Sequence, residues 1–366
     1  MFVDLPLDEL RAYRPEVAEP ADFDAFWAGQ LAAARTHDRA ATFEPLRTPL
    51  RHVDVFDVTL PGYGGDPVKA WLQVPHALSG DAALIVEFVG YNGGRGHPVD
   101  WLRYTAAGHP HVVMDTRGQG GGWRSSDTAD PSDDGAPSAT GFLTRGIADP
   151  ATYYYTRVFV DAVRAVDAAR CHPIAADRPL VTAGGSQGGA LALAAGHLAG
   201  DVSAVLADVP FLAHPRRAVQ VTDARPYGEL VEYCGVHPDR VEQVFRTLSY
   251  VDVVNHAKRA SAPALFSVGL IDDITPASTV FAAYNAYAAP KDIAVYPFNG
   301  HEGGGTVHLL AQLAFLGRAR QVPRHTHPIE RGGPSARRRE QPPATRCDPE
   351  AGRLLTLGTA SPGPAG

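Results

Sequence analysis

Leu180-Val181-Thr182-Ala183-Gly184-Gly185-Ser186-Gln187-Gly188-Gly189-Ala190-Leu191-Ala192-Leu193-Ala194-Ala195 is the stretch that decides the fold. An apolar run that reads as a buried strand enters a glycine-rich turn, and an alanine- and leucine-rich run that reads as a helix leaves it. Ser186 stands at the centre of a G-x-S-x-G pattern. In that context the pattern reads as a nucleophile elbow, because glycines admit a strained turn and lift the hydroxyl clear of the sheet. The backbone N–H of Gln187 then points to where an oxyanion would form. The plainer reading is a glycine-rich strand-to-helix turn.

A serine is a weak nucleophile until a histidine takes its proton, and the histidine needs an acid to orient it. With a nucleophile elbow the acid and then the histidine follow in chain order, each after a strand. Ala264 to Val268 is such a strand and runs into Gly269-Leu270-Ile271-Asp272-Asp273. Ile293 to Tyr296 is another, followed by Gly300-His301-Glu302. Ser186, an aspartate at 272 or 273, and His301 therefore form a triad in the required order. One aspartate faces the histidine and the other is free to cap the helix that begins near Thr275-Pro276. A second oxyanion donor is expected from the loop after Leu84 to Val89. There Gly90-Tyr91-Asn92-Gly93-Gly94-Arg95-Gly96 makes the Tyr91 N–H the candidate. A phosphate cradle is disfavoured, since the loop lacks the lysine-threonine ending that such cradles use.

These motifs, with Met114-Asp115-Thr116-Arg117-Gly118-Gln119-Gly120, resemble the signature set of the acetyl xylan esterase / cephalosporin-C deacetylase family. Tyr13-Arg14-Pro15-Glu16, Thr152 to Tyr155, Asp208 to Leu212 and Thr279 to Asn285 are also similar, so the resemblance covers roughly residues 1 to 316. It implies an α/β-hydrolase fold with a mostly parallel central sheet flanked by helices. It implies Ser186 as nucleophile, His301 as base and Asp272, rather than Asp273, as its orienter. It also implies backbone donors at Tyr91 and Gln187, with no cofactor and no metal. Arg117, Gln119 and Glu302 are expected as structural supports, with Arg117 paired to Glu302 to lock the loops carrying Tyr91 and His301. Tyr91, Pro210 and Phe211 are expected to wall a short acyl pocket. The implied substrates are acetylated xylooligosaccharides and related small acetyl esters, cephalosporin C among them. The implied assembly is a homo-oligomer of six subunits. Ala277 and His109-Pro110-His111 depart from the family pattern without touching the triad.

Composition fits an enzyme of this kind. Of 366 residues, 45% are hydrophobic, enough for a sizeable core, and the net charge of -7 argues against a nucleic-acid partner. No apolar run approaches a membrane span, and the N-terminal residues carry no secretory pattern. Cys171, Cys234 and Cys347 are odd in number and widely spaced, which suits reduced thiols in a cytoplasm. The His109/His111 and His325/His327 pairs lack partners at ligand spacing, so no metal is expected.

Alternating strands and helices place one hydrolase domain at 1–317, with an N-terminal helical extension at 1–47. In that extension Phe23, Phe26, Trp27 and Leu31 recur at helical spacing. Strands are expected at 53–59, 68–74, 84–89, 111–115, 180–183, 204–208, 264–268 and 293–296, and a long helix at 150–169. Residues 213–258 read as a helical insertion near the active site. Residues 124–142, rich in Ser, Asp, Pro and Gly, read as a loop. From Arg318 apolar periodicity is lost and Pro, Arg and Gly accumulate, so 318–366 reads as a disordered tail, with Arg337-Arg338-Arg339 solvated. Two other readings stay open: a different serine hydrolase on the same fold, such as a peptidase, and a non-enzymatic binding protein.

Overall fold

The computed structural model describes residues 4–37, 39–131 and 139–319. The expected tail, 318–366, lies outside the described residues apart from its first two positions, 318 and 319, which still belong to a helix.

In chain order the elements begin with α1 (Leu7–Ala12), α2 (Phe23–Arg35) and the strands β1 (Thr42–Leu46), β2 (Val53–Pro61), β3 (Pro67–Pro75) and β4 (Leu84–Phe88). There follow α3 (Leu102–Ala106), β5 (His111–Met114), α4 (Tyr154–Cys171), β6 (Leu180–Gly185), α5 (Gln187–Leu198) and β7 (Ala204–Asp208). Four helices come next: α6 (Pro215–Val221), α7 (Tyr227–Val236), α8 (Val241–Val251) and α9 (Val253–Ala257). The described chain closes with β8 (Ala264–Gly269), α10 (Ala277–Ala286), β9 (Lys291–Tyr296) and α11 (Gly305–Ala319).

The nine strands among the described residues join one sheet in the order β1-β2-β3-β5-β4-β6-β7-β8-β9. The first three and the β3–β5 pair are antiparallel, and every pairing from β5 through β9 is parallel. Parallel strands need helical crossovers that cover both faces, which is why β4 and β6 to β8 are apolar without a polar stripe. Leu84, Val86 and Phe88 join a core with α2, α4 and α5, whereas Ala83 and Ile85 join Phe315 and Leu316 of α11 on the opposite face. That two-residue alternation follows from the pleat.

The sequence did not disclose β1. It is largely exposed, contains Pro45, and pairs only with β2 at the sheet's edge, so it carries little of the hydrophobic signal that marks a strand. Helix α2 buries Phe23, Trp27 and Leu31. Its Trp27 indole N–H donates to Tyr250 O (3.0 Å), tying the N-terminal segment to α8. The four helices α6 to α9 occupy the stretch between β7 and β8, with Tyr227, Leu230, Val244 and Leu248 facing the main core. Among the described residues no helix is long and apolar enough to cross a membrane.

Candidate active site

Ser186 sits between β6 and α5 with φ 58° and ψ −119°. This is a left-handed conformation that costs a non-glycine residue of order 1–3 kcal/mol. The turn is held on both sides: Ser186 N–H donates to Asp208 O (2.9 Å), and Phe211 N–H donates to Ser186 O (3.0 Å). The glycines are needed for close approach. A Cβ on Gly188 would lie 2.1 Å from the carbonyl oxygen of Phe88, at the end of β4, and one on Gly184 would lie 2.4 Å from the Gly188 backbone. Helix α5 can therefore abut the sheet only with glycine at these positions.

Asp272 follows β8 and is fully buried. Its Oδ1 accepts the N–H groups of Ile274 (2.8 Å) and Thr275 (3.0 Å). Its Oδ2 accepts the Thr275 hydroxyl (2.8 Å) and stands 2.9 Å from His301 Nδ1. A carboxylate only accepts, so the proton of the neutral ring is on Nδ1 and Nε2 is left as a base. The neighbouring Asp273 is exposed and serves the fold through its backbone, its carbonyl accepting the Thr222 hydroxyl. It does not cap α10, whose N-cap is Pro276 with no side-chain cap; Asp272 itself binds the N–H groups of that turn. Thr275, which sequence reasoning missed, is part of this arrangement, its Oγ1 3.3 Å from His301 Nδ1.

Ser186 and His301 line one cavity of about 430 Å³, together with Gly90, Tyr91, Trp101, Trp123, Arg124 and Arg225 among others. Among the described residues no hydrogen bond joins Ser186 Oγ to the ring. Such bonds are often long without substrate and tighten around it.

Gln187 follows the serine in the chain, and Tyr91 lines the same cavity as the serine. Among the described residues neither backbone N–H has an intramolecular acceptor. What holds them is a reciprocal pair of buried amides. Gln119 Nε2 donates to Gln187 Oε1 (2.8 Å), and Gln187 Nε2 donates to Gln119 Oε1 (3.2 Å). Gln119 Oε1 also accepts Asn92 N–H (2.7 Å), and Gln187 Nε2 also donates to Val89 O (3.1 Å). The pair thus grips the Tyr91 loop at the residue after Tyr91 and at the residue before Gly90. The hydroxyls of Tyr154 and Tyr155 complete it, Tyr155 donating to Gln187 Oε1 (2.9 Å).

The Tyr91 hydroxyl reaches Glu229 of α7, and the same buried carboxylate accepts the N–H groups of Gly141 and Leu143 (both 3.0 Å). Burial first, and then Glu229, raise the Tyr91 hydroxyl pKa far above its ordinary value. Glu229 was not foreseen: a lone glutamate on an amphipathic helix carries no signal of its partner.

Two sequence expectations need correction. Arg117 does not pair with Glu302. Its guanidinium is bidentate on Asp161 (Nε 2.5 Å, Nη2 2.8 Å) and reaches Asp66 (3.1 Å) and Asp130 (3.5 Å). Burial opposes its charge, and Asp161 more than restores it, raising the pKa further. Glu302 instead accepts Asn299 Nδ2 (2.7 Å) and Gly300 N–H (3.0 Å) beside His301, and the Asn299 bond in the first place holds its carboxyl below the usual range. A buried arginine takes the carboxylates that share its burial, and Asp161 lies on α4 under the same core. Likewise Pro210 and Phe211 are buried and do not line the cavity. Phe211 packs behind, its ring centroid 6.4 Å from that of Tyr91 and 4.7 Å from that of Tyr227.

The two histidines nearest each other in the early sheet serve the fold: His109 Nδ1 accepts Ala83 N–H (3.1 Å) and His111 Nδ1 stands 3.1 Å from Trp101 O. Among the described residues no three His, Cys, Asp or Glu side chains converge as metal ligands.

A parallel-centred sheet, a strained serine at a strand-to-helix turn, and a histidine bonded to a buried aspartate, both after later strands, define an α/β-hydrolase. The acetyl xylan esterase (AXE1) family model matches residues 1–318. The chain belongs to that family, a family of carboxylic ester hydrolases. It is similar to the acetyl xylan esterase of Paenibacillus sp. R4, at 36% identity and a TM-score of 0.78 over 86% of this chain and 99% of that one. It is also similar to acetyl xylan esterase 1 of Thermoanaerobacterium sp. JW/SL YS485, at 32% identity and a TM-score of 0.77 over the same shares. The acetyl esterase Axe7A of Xylanibacter ruminicola is 27% identical over 310 residues, 79% of this chain. The chain spans 65% of that curated relative's length, a little under two thirds.

Proposed function

We propose that this protein hydrolyses O-acetyl esters, on acetylated xylooligosaccharides and on small acetyl esters such as cephalosporin C, by acyl transfer through Ser186. The observation that carries the reading is the 2.9 Å contact between His301 Nδ1 and buried Asp272, on a ring that opens onto the same cavity as Ser186.

The ester carbonyl oxygen lies at the N–H groups of Tyr91 and Gln187. Ser186 Oγ attacks the carbonyl carbon while His301 Nε2 takes its proton. The resulting imidazolium is stabilised by Asp272, which stays ionised. The tetrahedral oxyanion collapses, and the sugar alcohol leaves with the proton from Nε2. Water then attacks the acetyl-enzyme with His301 again as base, and acetate departs from Ser186. Each fixed oxyanion donor contributes about 3–4 kcal/mol to the barrier reduction. The Tyr91 ring, backed by Phe211, closes the acyl side, which favours acetyl over longer chains. A homo-oligomer of six subunits belongs to the same reading.

The test is acetate release from acetylated xylooligosaccharides and from cephalosporin C, side by side, for the parent and for Ser186→Ala. Loss of release with unchanged circular dichroism supports the reading. Release that persists in S186A refutes it, as does equal turnover of acetyl and octanoyl esters for the closed acyl side. Faster hydrolysis of aminoacyl amides than of acetyl esters would make the protein a peptidase. Light scattering gives the subunit number.

A further inference from the structure

Three arginines line the cavity that holds Ser186: Arg103, Arg124 and Arg225. Two of them are spoken for. Arg103 is ion-paired with buried Glu87, whose carboxyl burial would raise but which Arg103 and then His111 hold low. Arg225 Nη2 lies 2.8 and 3.0 Å from the two oxygens of Glu232. Arg124 differs. Its ion pair is the long one: Nε lies 3.7 Å from Asp100 Oδ2, beyond a good hydrogen bond, and that oxygen already accepts His97 N–H (2.9 Å).

Arg124 is nonetheless held in place. Its guanidinium carbon lies 4.4 Å from the centroid of Trp101 and 4.9 Å from that of Trp123. Its stem runs against Gly96, where a Cβ would come within 3.1 Å of Arg124 Cδ. Trp101 is fixed by an indole bond to Arg95 O (2.6 Å), and Trp123, 53% exposed at the rim, by one to Tyr91 O (3.1 Å). Stacking on indoles leaves the guanidinium N–H fork available in its own plane, the geometry that suits a carboxylate. This fork sits on the loop system that carries the oxyanion donor Tyr91.

We propose that Arg124 receives a carboxylate carried by the alcohol portion of the ester, so that the preferred substrates are anionic acetyl esters. The proposal rests on the esterase reading above. The acyl side of an acetyl ester is a methyl group, so a second charged group can belong only to the alcohol.

The test compares 4-acetoxybenzoate with its neutral counterpart 4-acetoxybenzamide, as the ratio of their kcat/KM values. The parent favours the anion by about five- to tenfold, the size of a partly exposed charge-assisted contact. R124Q brings the ratio to near one, R124K keeps part of it, and 0.5 M salt lowers it in the parent. A ratio untouched by R124Q in a variant with parental circular dichroism overturns the proposal. So does a parent that favours the amide. Binding of 4-hydroxybenzoate against 4-hydroxybenzamide to the S186A variant and to S186A/R124Q, by calorimetry, reads the same discrimination without turnover. A parent that hydrolyses neither ester therefore refutes the esterase reading while the carboxylate site is still decided. Glucuronyl-branched and unbranched acetylated xylooligosaccharides, with cephalosporin C alongside, distinguish a sugar-borne carboxylate from one on a small bicyclic ester.

Discussion

Replacing Gln119 by leucine tests whether the amide pair positions the proposed oxyanion donors. Gln119 is buried, and four bonds end on its side chain. Leucine removes all four. Gln187 Oε1 keeps the Tyr155 hydroxyl, and Tyr154 still donates to Arg117 O (2.6 Å). Two donors lose an acceptor: Asn92 N–H, and the Gln187 Nε2 hydrogen that faced Gln119. An orphaned buried donor costs about 1–3 kcal/mol. Asn92 is half-buried, so water relieves part of its share, and the expected loss of stability is about 2–4 kcal/mol. The catalytic effect is separate. With Asn92 released, the neighbouring Tyr91 N–H drifts from the oxyanion, and part of the 3–4 kcal/mol of that donor is forfeited. That predicts a fall in kcat/KM of about 10- to 100-fold, expressed mainly in kcat because the interaction belongs to the transition state. Urea titration and 4-nitrophenyl acetate kinetics on Q119L measure the two quantities. A variant that loses stability as expected but keeps kcat within twofold would refute a positioning role for the pair.

Asp272→Asn leaves an oxygen for the Ile274 and Thr275 N–H groups but inverts the His301 tautomer, and kcat for acetyl esters is expected to fall about 10⁴-fold with little change in KM; a loss under tenfold contradicts the assignment. Burial pushes the Asp252 carboxyl up to about 7, against roughly 3.9 in an unfolded chain. Between those values the unfolded chain has released the proton and the folded one has not, so stability falls as pH rises from about 4 to about 7. Urea titrations should therefore show D252N gaining on the parent across that interval and levelling off above it; a constant difference contradicts the shift. Gly188→Ala sets a methyl against the Phe88 carbonyl, a backbone atom that cannot swing away. The expected cost is about 1–3 kcal/mol with a large loss of acetyl-esterase activity, and thermal melting with parental activity would show that α5 has room to shift.

Much of the fold was legible because its signals are local. A parallel strand buried on both faces must be an apolar run, and β4, β6, β7 and β8 each announce themselves so; the elbow is a short pattern whose flanks declare a strand and a helix. The histidine and an aspartate at 272 or 273 follow from chain order, and the family resemblance favoured Asp272. What stayed hidden was pairing at a distance. Nothing near Arg117 marks Asp161 as its partner, 44 positions away, and a histidine-adjacent glutamate looked equally suitable. Trp123 and Arg124 were passed over at the edge of a Ser-, Asp- and Gly-rich segment, because a loop has no periodicity to say which side chain turns inward. Thr275 was read only as part of a helix start, and its hydroxyl's place between Asp272 and His301 follows from a turn that only coordinates define.

The positive φ at Ser186 sets chemical competence against endurance. Glycine tolerates that conformation without penalty, so exchanging the hydroxymethyl group for hydrogen should yield a chain that withstands heat at least as well yet turns nothing over. The working enzyme is then not the sturdiest sequence available to its own backbone. Screening variants for thermal resistance alone would reward inert versions, and any such search has to be coupled to turnover at every round.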